Sequence, residues 1–497
     1  MRQTLRVLYV TPELSPWVKE GGLGDVSSDL PAALARTGID ARILVPAYPP
    51  LAKAFSGACP VAQFPAPGGV LPASRLLEVP GPVTMYLLDC AAYFARSGGV
   101  YQSSEGADWP DNHLRFGLLS RIAARLGSAD SPLAWLPDIV HCNDWQTGLA
   151  AAYLAHSGSA RAATVMTIHN LAYQGIFPPT VLEELAVPRE AFAAEGLEYH
   201  GKASFLKAGL HHATLLNTVS PTYAREIQTA ELGFGLDGLL RRRAADLSGI
   251  LNGIDTDAWN PARDPHLARN YDALHLEHKR ANKTAVQRAF GLRVDAGAPL
   301  LGMVSRLVEQ KGVDLVAAIA PELVRSAAQL VVLGRGGRDF EAVLEALAAR
   351  HPGAIAAHIG FDERRAHQIE AGADLFLMPS RFEPCGLNQF YSMRYGTPPV
   401  ARRTGGLADS VVDATEGNLR SGTATGFTFD EPTPAALLTA IRRAIAAWRE
   451  PGMWRALQRN GMARDFGWAP AAQAYAAVYR RAIKQPRAAS GIGVGDS

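Results

Sequence analysis

The sequence has few of the features that would place it in a specialised class of protein. No run of 18 apolar residues occurs, and the apolar run near the N-terminus is too short for a signal peptide. No block of like charges occurs, and the net charge is +2, so charge suggests no nucleic-acid or membrane-surface partner. There is no internal repeat. These absences favour a cytoplasmic enzyme or binding protein.

Cysteine is also scarce, with four residues in a chain of 497. They are scattered along the sequence, and no two stand at the spacing of metal ligands: Cys59, Cys90, Cys142 and Cys385. We therefore expect reduced thiols, which is the usual state in the cytoplasm.

The remaining composition is that of a globular protein, with 48% hydrophobic and 19% charged residues. A chain of 497 residues is too long for one ordinary core. We expect two domains of roughly 200 to 250 residues each.

Strand-like runs alternate with amphipathic helical runs through most of the chain. The predicted strands of the first half are Leu5–Thr11, Ala41–Pro46, Val83–Asp89, Asp138–Asn143, Ala163–His169 and Thr214–Val219. Those of the second half are Leu300–Val304, Gln329–Leu333, Ile355–Ile359, Asp374–Met378 and Pro398–Ala401. This alternation predicts an α/β protein with parallel sheets covered by helices on both faces.

The pattern resets at residues 248–265, "SGILNGIDTDAWNPARDP", where Asn-Gly, Trp and two Pro residues end one series. We predict a first Rossmann-like domain over 1–250 and a second over 251–465. A last helical segment, 466–484, precedes a tail at 485–497 that we expect to be disordered. The predicted architecture is two doubly wound domains that face each other across a deep cleft.

In open α/β sheets, ligands bind beyond the carboxyl ends of the strands, which directs attention to three loops. The first is "VKEGGLGDV", where Lys19, Gly21 and Gly22 stand between a strand and a helix. Glycines allow a ligand close to the backbone, and a helix N-terminus favours anions. A tight strand-to-helix turn would explain the same glycines without any ligand.

The second loop, "VSRLVEQKG", has Arg306 and Lys311 just after a buried strand. Both could converge on one pyrophosphate through charge-assisted hydrogen bonds. A solvated basic pair at a helix start is the alternative.

The third loop spans residues 377–411, in which Glu383 follows a buried strand. Gly386 opens one helix, and a second turn at Gly405 and Gly406 precedes another. Such glycine-opened helices around a carboxylate would suit sugar hydroxyls and a phosphate. An exposed glutamate without a function is the alternative.

Two histidines stand at strands of the first domain. His169 ends the strand "TVMTIH" and precedes a polar loop, so it is either a core histidine or a ligand-binding one. His141 lies inside a strand, and we expect a structural role for it, with Asp144 and Trp145 at the rim of the cleft.

Seven motifs together resemble those of bacterial glycogen synthases and plant starch synthases, which are retaining glucosyltransferases of the GT-B fold. They are "KEGGLGDV", "HCNDWQTG", "TIHNLAYQGIF", "NTVSPTYAREI", "ILNGIDTDAWNP", "VSRLVEQKG" and "PSRFEPCGLNQFYSMRYGTPPVARRTGGLADSV". They occur in the family's order from residue 5 to about residue 480. The resemblance implies an acceptor-side first domain and a nucleotide-sugar-binding second domain.

The resemblance also implies roles for individual residues. The implied catalytic residues are Glu383, His169, Arg306, Lys311 and Asp25. The implied donor-binding residues are Lys19, Gly21, Gly22, Asn170, Asn252, Phe361, Cys385, Gly386, Leu387, Thr404, Gly405 and Gly406. The implied acceptor-binding residues are Asp144, Trp145 and Tyr101.

Three positions depart from the usual family pattern. Glu20 stands where threonine is common, and a carboxylate beside a diphosphate repels it by up to about 1 kcal/mol when exposed. Glu20 therefore either points away or lowers donor affinity. Tyr391 stands where many related transferases have a second glutamate, which agrees with the synthase branch. Asn388 replaces a common threonine, and we expect little effect.

The implied reaction transfers glucose from ADP-glucose to the non-reducing 4-hydroxyl of an α-1,4-glucan such as glycogen, with retention. No Asp-x-Asp metal motif stands at a suitable position, and no pair of carboxylates at glycosidase spacing is evident. We therefore expect no metal and no cofactor. The sequence leaves the oligomeric state open, a homo-oligomer included.

Several alternative functions can be compared with the sequence. A UDP-glucose donor or a small-sugar acceptor, as in sucrose- or trehalose-type synthases, would use the same fold. A glucan phosphorylase would need a much longer chain, and a nicotinamide oxidoreductase would need GxGxxG with a distant acidic partner, which "LGRGGRDFE" lacks. A catalytically silent glucan-binding protein would not need Lys19, Arg306 and Lys311 together with Glu383.

Overall fold

The computed structural model describes residues 4–66 and 71–485. The chain divides into two compact units, one formed by residues up to Gly253 and from Trp468 onwards, and one formed by Ile254–Gly467. The sequence predicts a boundary after residue 250, and the structure divides the chain after Gly253. The predicted tail, apart from Gln485, lies outside the described residues.

The first unit is built on a nine-stranded sheet with the order β12-β11-β7-β6-β1-β2-β5-β4-β3, beside a small sheet with the order β8-β10-β9. The strands are β1 (Arg6–Val10), β2 (Asp40–Pro46), β3 (Cys59–Phe64), β4 (Ser74–Val79), β5 (Met85–Asp89), β6 (Ile139–Asn143), β7 (Ala163–Ile168), β8 (Ile176–Phe177), β9 (Glu198–Tyr199), β10 (Lys202–Ser204), β11 (Leu215–Thr218) and β12 (Leu247–Gly249). The helices are α1 (Gly22–Arg36), α2 (Pro49–Ala54), α3 (Ala91–Phe94), α4 (Asn112–Leu126), α5 (Trp145–His156), α6 (Val181–Glu184), α7 (Phe205–His212), α8 (Pro221–Glu226) and α9 (Asp237–Arg242).

Strand β1 shows why the sheet is buried on both faces. Its side chains alternate in direction, so Leu8 and Val10 join one core cluster while Val7 and Tyr9 join another. Both faces must be apolar, and the run "RVLYV" meets that need. Strand β1 pairs in parallel with β2 and β6, which places its carboxyl end beside theirs.

The second unit has one parallel sheet of six strands with the order β15-β14-β13-β16-β17-β18. The strands are β13 (Leu300–Val304), β14 (Gln329–Gly334), β15 (Ile355–Ile359), β16 (Leu375–Met378), β17 (Pro399–Arg402) and β18 (Phe427–Phe429). The helices are α10 (Lys279–Ala289), α11 (Val313–Arg325), α12 (Arg338–Arg350), α13 (Glu363–Gly372), α14 (Asn388–Arg394), α15 (Gly405–Ser410), α16 (Glu416–Arg420), α17 (Pro434–Trp448) and α18 (Pro451–Met462).

The last helix, α19 (Ala469–Ala482), belongs to the first unit. Its tyrosines, Tyr475 and Tyr479, are fully buried in the core cluster that also contains Val7 and Tyr9 of β1. The Tyr479 hydroxyl is 2.8 Å from Nδ1 of His141, whose Nε2 is 2.7 Å from the Thr167 hydroxyl. His141 therefore has the structural role that its position inside a strand predicted.

The large sheet is parallel except at one edge. Strands β3 and β4 were not predicted, and they pair antiparallel with each other and with β5. Only a short turn separates β4 from β5, and a connection that short permits only an antiparallel hairpin. Side chains of β3 are mostly exposed, so the strand has no apolar run to reveal it.

Within the described part of the chain, no helix has the length and apolar content needed to cross a membrane.

Candidate active site

The glycine loop follows β1 and leads into α1. Gly21 is the N-cap of α1, and Gly22 is its first residue. Lys19 Nζ lies 2.8 Å from Oδ1 of Asp25, which stands in the first turn of the helix. A carboxylate at a helix N-terminus is stabilised by the helix dipole, and here it also orients the lysine. The structure thus brings together Lys19, predicted to bind the donor, and Asp25, predicted to be catalytic.

Glu13, which the sequence interpretation did not include, lies beneath this loop and is 3% exposed. Its Oε2 accepts hydrogen bonds from the backbone N–H groups of Glu20 (2.9 Å) and Gly21 (3.3 Å). Its Oε1 accepts one from the hydroxyl of Tyr101 at 2.6 Å. Burial raises the pKa of Glu13, and these hydrogen bonds oppose that change. Glu13 stands just beyond a strand end, where the strand-end rule could have identified it.

Glu20, the unusual residue of the loop, directs its carboxylate to the backbone of another segment. Its Oε1 accepts a hydrogen bond of 3.0 Å from the N–H of Val100. Tyr101, predicted to bind the acceptor, follows in the same segment and uses its hydroxyl on Glu13.

Asp144 and His169 form a second group at the carboxyl ends of β6 and β7. Asp144 is 8% exposed and has a φ of 56°. Its Oδ1 accepts hydrogen bonds from the backbone N–H groups of His169 (2.7 Å) and Asn170 (3.4 Å). The structure therefore gives Asp144 a role in holding the His169 loop, whereas the sequence interpretation placed it at the rim of a cleft with the acceptor.

Burial shifts the pKa values of both Asp144 and His169. Burial raises the pKa of Asp144 to about 7, although the backbone hydrogen bonds lower it. Burial also lowers the pKa of His169 to about 3, so its ring is neutral at neutral pH. Nε2 of that ring lies 2.9 Å from Oδ1 of Asn143. A neutral imidazole can donate a hydrogen bond without placing a positive charge beside the site.

Two further predicted residues of the first unit are enclosed by protein. Trp145 begins α5 and packs in edge contact with Phe116, with ring centroids 5.1 Å apart. Asn252 is buried just before the unit boundary, and among the described residues its Oδ1 has no hydrogen-bond partner.

The second unit brings Lys311 and Glu383 together. Nζ of Lys311 lies 2.6 Å from Oε2 of Glu383, which is 4% exposed. The Ser380 hydroxyl donates a hydrogen bond of 2.8 Å to the same oxygen. Ser380 stands two residues after the end of β16, and the sequence interpretation overlooked it. Arg306 lies exposed in the turn after β13, five residues before Lys311.

The backbone around Glu383 is packed too closely for side chains larger than hydrogen. A Cβ on Gly405 would lie 1.9 Å from the carbonyl oxygen of Glu383, and Gly405 has a φ of 44°. A Cβ on Gly406 would lie 2.1 Å from the carbonyl oxygen of Cys385. The Gly406 N–H donates to the Glu383 carbonyl at 3.1 Å. The two glycine segments predicted for the donor are therefore in direct contact.

Other predicted donor residues of the second unit occupy the same region or a loop nearby. Thr404 is the buried N-cap of α15, and Leu387 is the N-cap of α14. Gly386 has a φ of 71°, which glycine adopts without strain. Phe361 lies after β15, and with 77% of its surface exposed it is available to a ligand. Asn388 donates its side-chain amide to the carbonyl of Val304.

Tyr391, on α14, belongs to an aromatic stack that the sequence did not reveal. Its ring lies 3.7 Å from the Trp259 ring, which stacks at 3.7 Å on His367 on the other side. Nδ1 of His367 lies 2.7 Å from Oδ2 of Asp264. In the described part of the chain, no group of three or more His, Cys, Asp or Glu side chains is arranged to hold a metal ion.

Comparisons with known proteins agree with the motifs. A family model described as the starch synthase catalytic domain matches residues 6–242, and one described as glycosyl transferases group 1 matches residues 288–460. The glycogen synthase of Dechloromonas aromatica is 55% identical over 481 residues, 97% of this chain and 99% of that protein. The glycogen synthase of Aromatoleum aromaticum is 56% identical over 477 residues, 96% of each.

Solved structures support the same assignment. The catalytic domain of starch synthase IV from Arabidopsis thaliana, solved with ADP and acarbose, matches with a TM-score of 0.85 and 31% identity. That match covers 97% of this chain and 100% of the other. The GT-B fold expected from the sequence is confirmed. The chain is thus a hexosyltransferase, and it belongs to the glycogen synthase and starch synthase family that its motifs indicated.

Proposed function

We propose that this enzyme transfers glucose from ADP-glucose to the non-reducing 4-hydroxyl of an α-1,4-glucan, with retention of the anomeric configuration. The observation that carries the proposal is the pair formed by Lys311 and Glu383 beside the Gly405–Gly406 turn. Lys311 contacts the Glu383 carboxylate, and the Gly406 N–H donates to the Glu383 backbone carbonyl, so a cation, a carboxylate and a close-packed backbone turn meet in one place. Support for the donor and the acceptor comes from the ADP-bound starch synthase and the glycogen synthases that the chain resembles.

In the proposed reaction the bond from the glucose C1 to the diphosphate breaks, and a bond from C1 to the acceptor O4 forms. Negative charge grows on the departing diphosphate, and positive charge grows at C1. Lys311 and Arg306 are proposed to stabilise the first, and Glu383 is proposed to stabilise the second. The diphosphate oxygen accepts the proton of the acceptor hydroxyl. The N-terminus of α1 and Lys19 are proposed to add to the binding of the donor phosphates.

The neutral ring of His169 fits this scheme. A cation at that position would oppose the positive charge that develops at C1. The neutral ring directs its one N–H at Oδ1 of Asn143, so its Nδ1 can accept a hydrogen bond from a glucose hydroxyl. We propose that Asp144 holds this loop in place through the backbone of His169 and Asn170.

We also propose that the reaction needs no metal ion, because lysine and arginine supply the positive charge that a metal would otherwise provide. The cytoplasmic location and the assembly into homo-oligomers stay predictions, which cell fractionation and light scattering would test.

The test is incorporation of radiolabelled glucose into glycogen, with ADP-glucose and UDP-glucose in parallel, each with and without EDTA. We expect incorporation from ADP-glucose that EDTA leaves unchanged. Incorporation mainly from UDP-glucose would overturn the donor, and loss of activity in EDTA would overturn metal independence. No incorporation from either donor would direct attention to small-sugar acceptors.

A further inference from the structure

Two glutamates join the glycine loop to the segment 99–101 of the first unit. Glu13 accepts from the Tyr101 hydroxyl with one carboxylate oxygen and from the N–H groups of Glu20 and Gly21 with the other. Glu20 makes the return contact by accepting from the N–H of Val100. Two of these hydrogen bonds connect segments that are 80 and 88 residues apart in the sequence, and the other two bind Glu13 to the glycine loop itself.

The segment 99–101 is itself firmly held. Arg115 of α4 is fully buried, and its Nη1 donates a hydrogen bond of 2.8 Å to the Val100 carbonyl. The side-chain amide of Asn112 donates one of 2.9 Å to the Tyr101 carbonyl. The segment is therefore a fixed support, tied to a long helix, on which the glycine loop rests.

Part of the glycine loop is open to solvent. Lys19, Glu20 and Gly22 are exposed. Glycines raise the conformational entropy of a free loop, so an anchored loop binds its ligand with a smaller entropic cost. The Glu13 carboxylate binds the backbone N–H groups of Glu20 and Gly21, which directly follow Lys19, the residue with the positive charge.

We propose that Glu13 and Glu20 are positioning residues that hold the glycine loop on the segment 99–101 in the conformation that binds the donor's diphosphate. This inference rests on the proposed function. It assigns a role to Glu20, which stands where the family usually has threonine. The Glu20 carboxylate accepts a hydrogen bond from a backbone N–H and does not bind the phosphates. Loss of the Glu20 contact then weakens donor binding and leaves glucan binding unchanged.

The test compares Glu20→Ala, Glu20→Gln and the control Glu105→Ala, which alters an exposed glutamate nearby. Glu20 is exposed, so we expect all three variants to fold, with thermal denaturation as the check. Loss of a hydrogen bond to a charged group predicts a KM for ADP-glucose raised about tenfold in Glu20→Ala. The KM for glycogen and kcat should change less than twofold. Glu20→Gln retains an oxygen acceptor and should restore the donor KM to near the wild-type value.

An unchanged donor KM in Glu20→Ala, or an equal rise in Glu20→Gln, would overturn the inference. Glu13→Gln is a second probe, because its amide oxygen can accept from the loop while its NH₂ donates to the Tyr101 oxygen. It should raise the donor KM less than Glu13→Ala does.

Failure of the proposed function would look different. Wild-type protein would then incorporate no glucose from ADP-glucose, and calorimetric titration with ADP would decide the positioning role. Weaker ADP binding by Glu20→Ala than by wild type would support it, and equal dissociation constants, or no detectable ADP binding by wild type, would overturn it.

Discussion

At the scale of single residues, the chemistry of the second unit depends on Glu383 and its ion pair with Lys311. The carboxylate is 4% exposed and receives a hydrogen bond from Ser380 as well as the contact from Lys311. Both partners contact Oε2 of Glu383, so removal of either one alters the orientation of the carboxylate.

We predict that Glu383→Ala and Arg306→Ala each lower kcat by about 100-fold or more, since each removes a group proposed to stabilise charge in the transition state. Steady-state kinetics with ADP-glucose and glycogen would measure this. Glu309→Ala, which alters an exposed residue between Arg306 and Lys311, is the matched control. Near-normal turnover in a folded Glu383→Ala protein would contradict the site assignment.

Asp144 allows a prediction about pH and stability. Its pKa is raised by burial to about 7, from an ordinary value of 3.8. Between these values the unfolded chain has lost the proton and the folded chain has kept it, so this group makes stability fall as pH rises. The contribution stops changing above pH 7.

We expect Asp144→Asn to remove that slope. The difference in unfolding free energy between variant and wild type should move in favour of the variant by on the order of 3 kcal/mol from pH 4 to pH 7.5. Urea denaturation at several pH values would measure it. A difference that stays constant across that range would show that Asp144 titrates normally.

At the scale of helices and strands, the sequence predicted the buried parallel strands well and the edge strands poorly. β1, β6 and β7 are buried and mostly apolar, and their predicted bounds agree with the structure within about one residue. β3 is mostly exposed, so burial does not require an apolar run there, and β8 has only two residues, which is too short for a pattern.

The residues of the candidate site also fall into a predicted and an unpredicted group. Lys311 and Glu383 could be predicted because both follow buried strands in loops with distinctive residue types. The partners that orient the site, such as Glu13 and Ser380, also stand near strand ends, but what they bind depends on which loops meet in space, which the sequence does not show. The family resemblance implied that Tyr101 binds the acceptor. In the structure the Tyr101 hydroxyl donates a hydrogen bond to Glu13.

The packing of helix α14 bears on the position of the loop that contains Gly386 and follows Glu383. Trp259 lies between His367 and Tyr391, with both ring distances at 3.7 Å. Tyr391 is part of α14, and the loop that enters this helix contains Gly386 and follows Glu383. The stack therefore supports the helix on which the loop depends.

We predict that Trp259→Ala lowers the unfolding free energy of the second unit by about 1 to 3 kcal/mol, because two stacking contacts are lost. kcat should fall several-fold as the loop at Gly386 loosens. Trp259→Phe keeps one ring and should lie between alanine and wild type in both measurements. Equal effects of alanine and phenylalanine would show that stacking is not the relevant contact.

At the level of the complete chain, the two units are not simply its first and second halves. Residues from Trp468 onwards return to the first unit, where α19 covers part of the core that contains β1. Asn217 donates a hydrogen bond of 2.8 Å to the Tyr475 hydroxyl, and Trp468 Nε1 donates one of 2.9 Å to Asp29.

A chain that ends at Gly467 should therefore lose its first unit, because the apolar face beneath α19 becomes exposed. We expect it to accumulate as aggregate, while a chain that ends at Gln485 stays soluble. Sedimentation of expressed protein would distinguish them. Soluble, active protein from the shorter chain would contradict the account of α19.

Proton NMR of the product formed from maltohexaose and unlabelled ADP-glucose is the most decisive experiment for the proposed reaction. We expect one ADP to be released for each glucose added, and a new non-reducing unit whose anomeric proton has the coupling of an α-linkage at O4. A β-anomeric signal would contradict retention. Release of ADP with free glucose, or a bond at another hydroxyl, would contradict glucan synthesis itself.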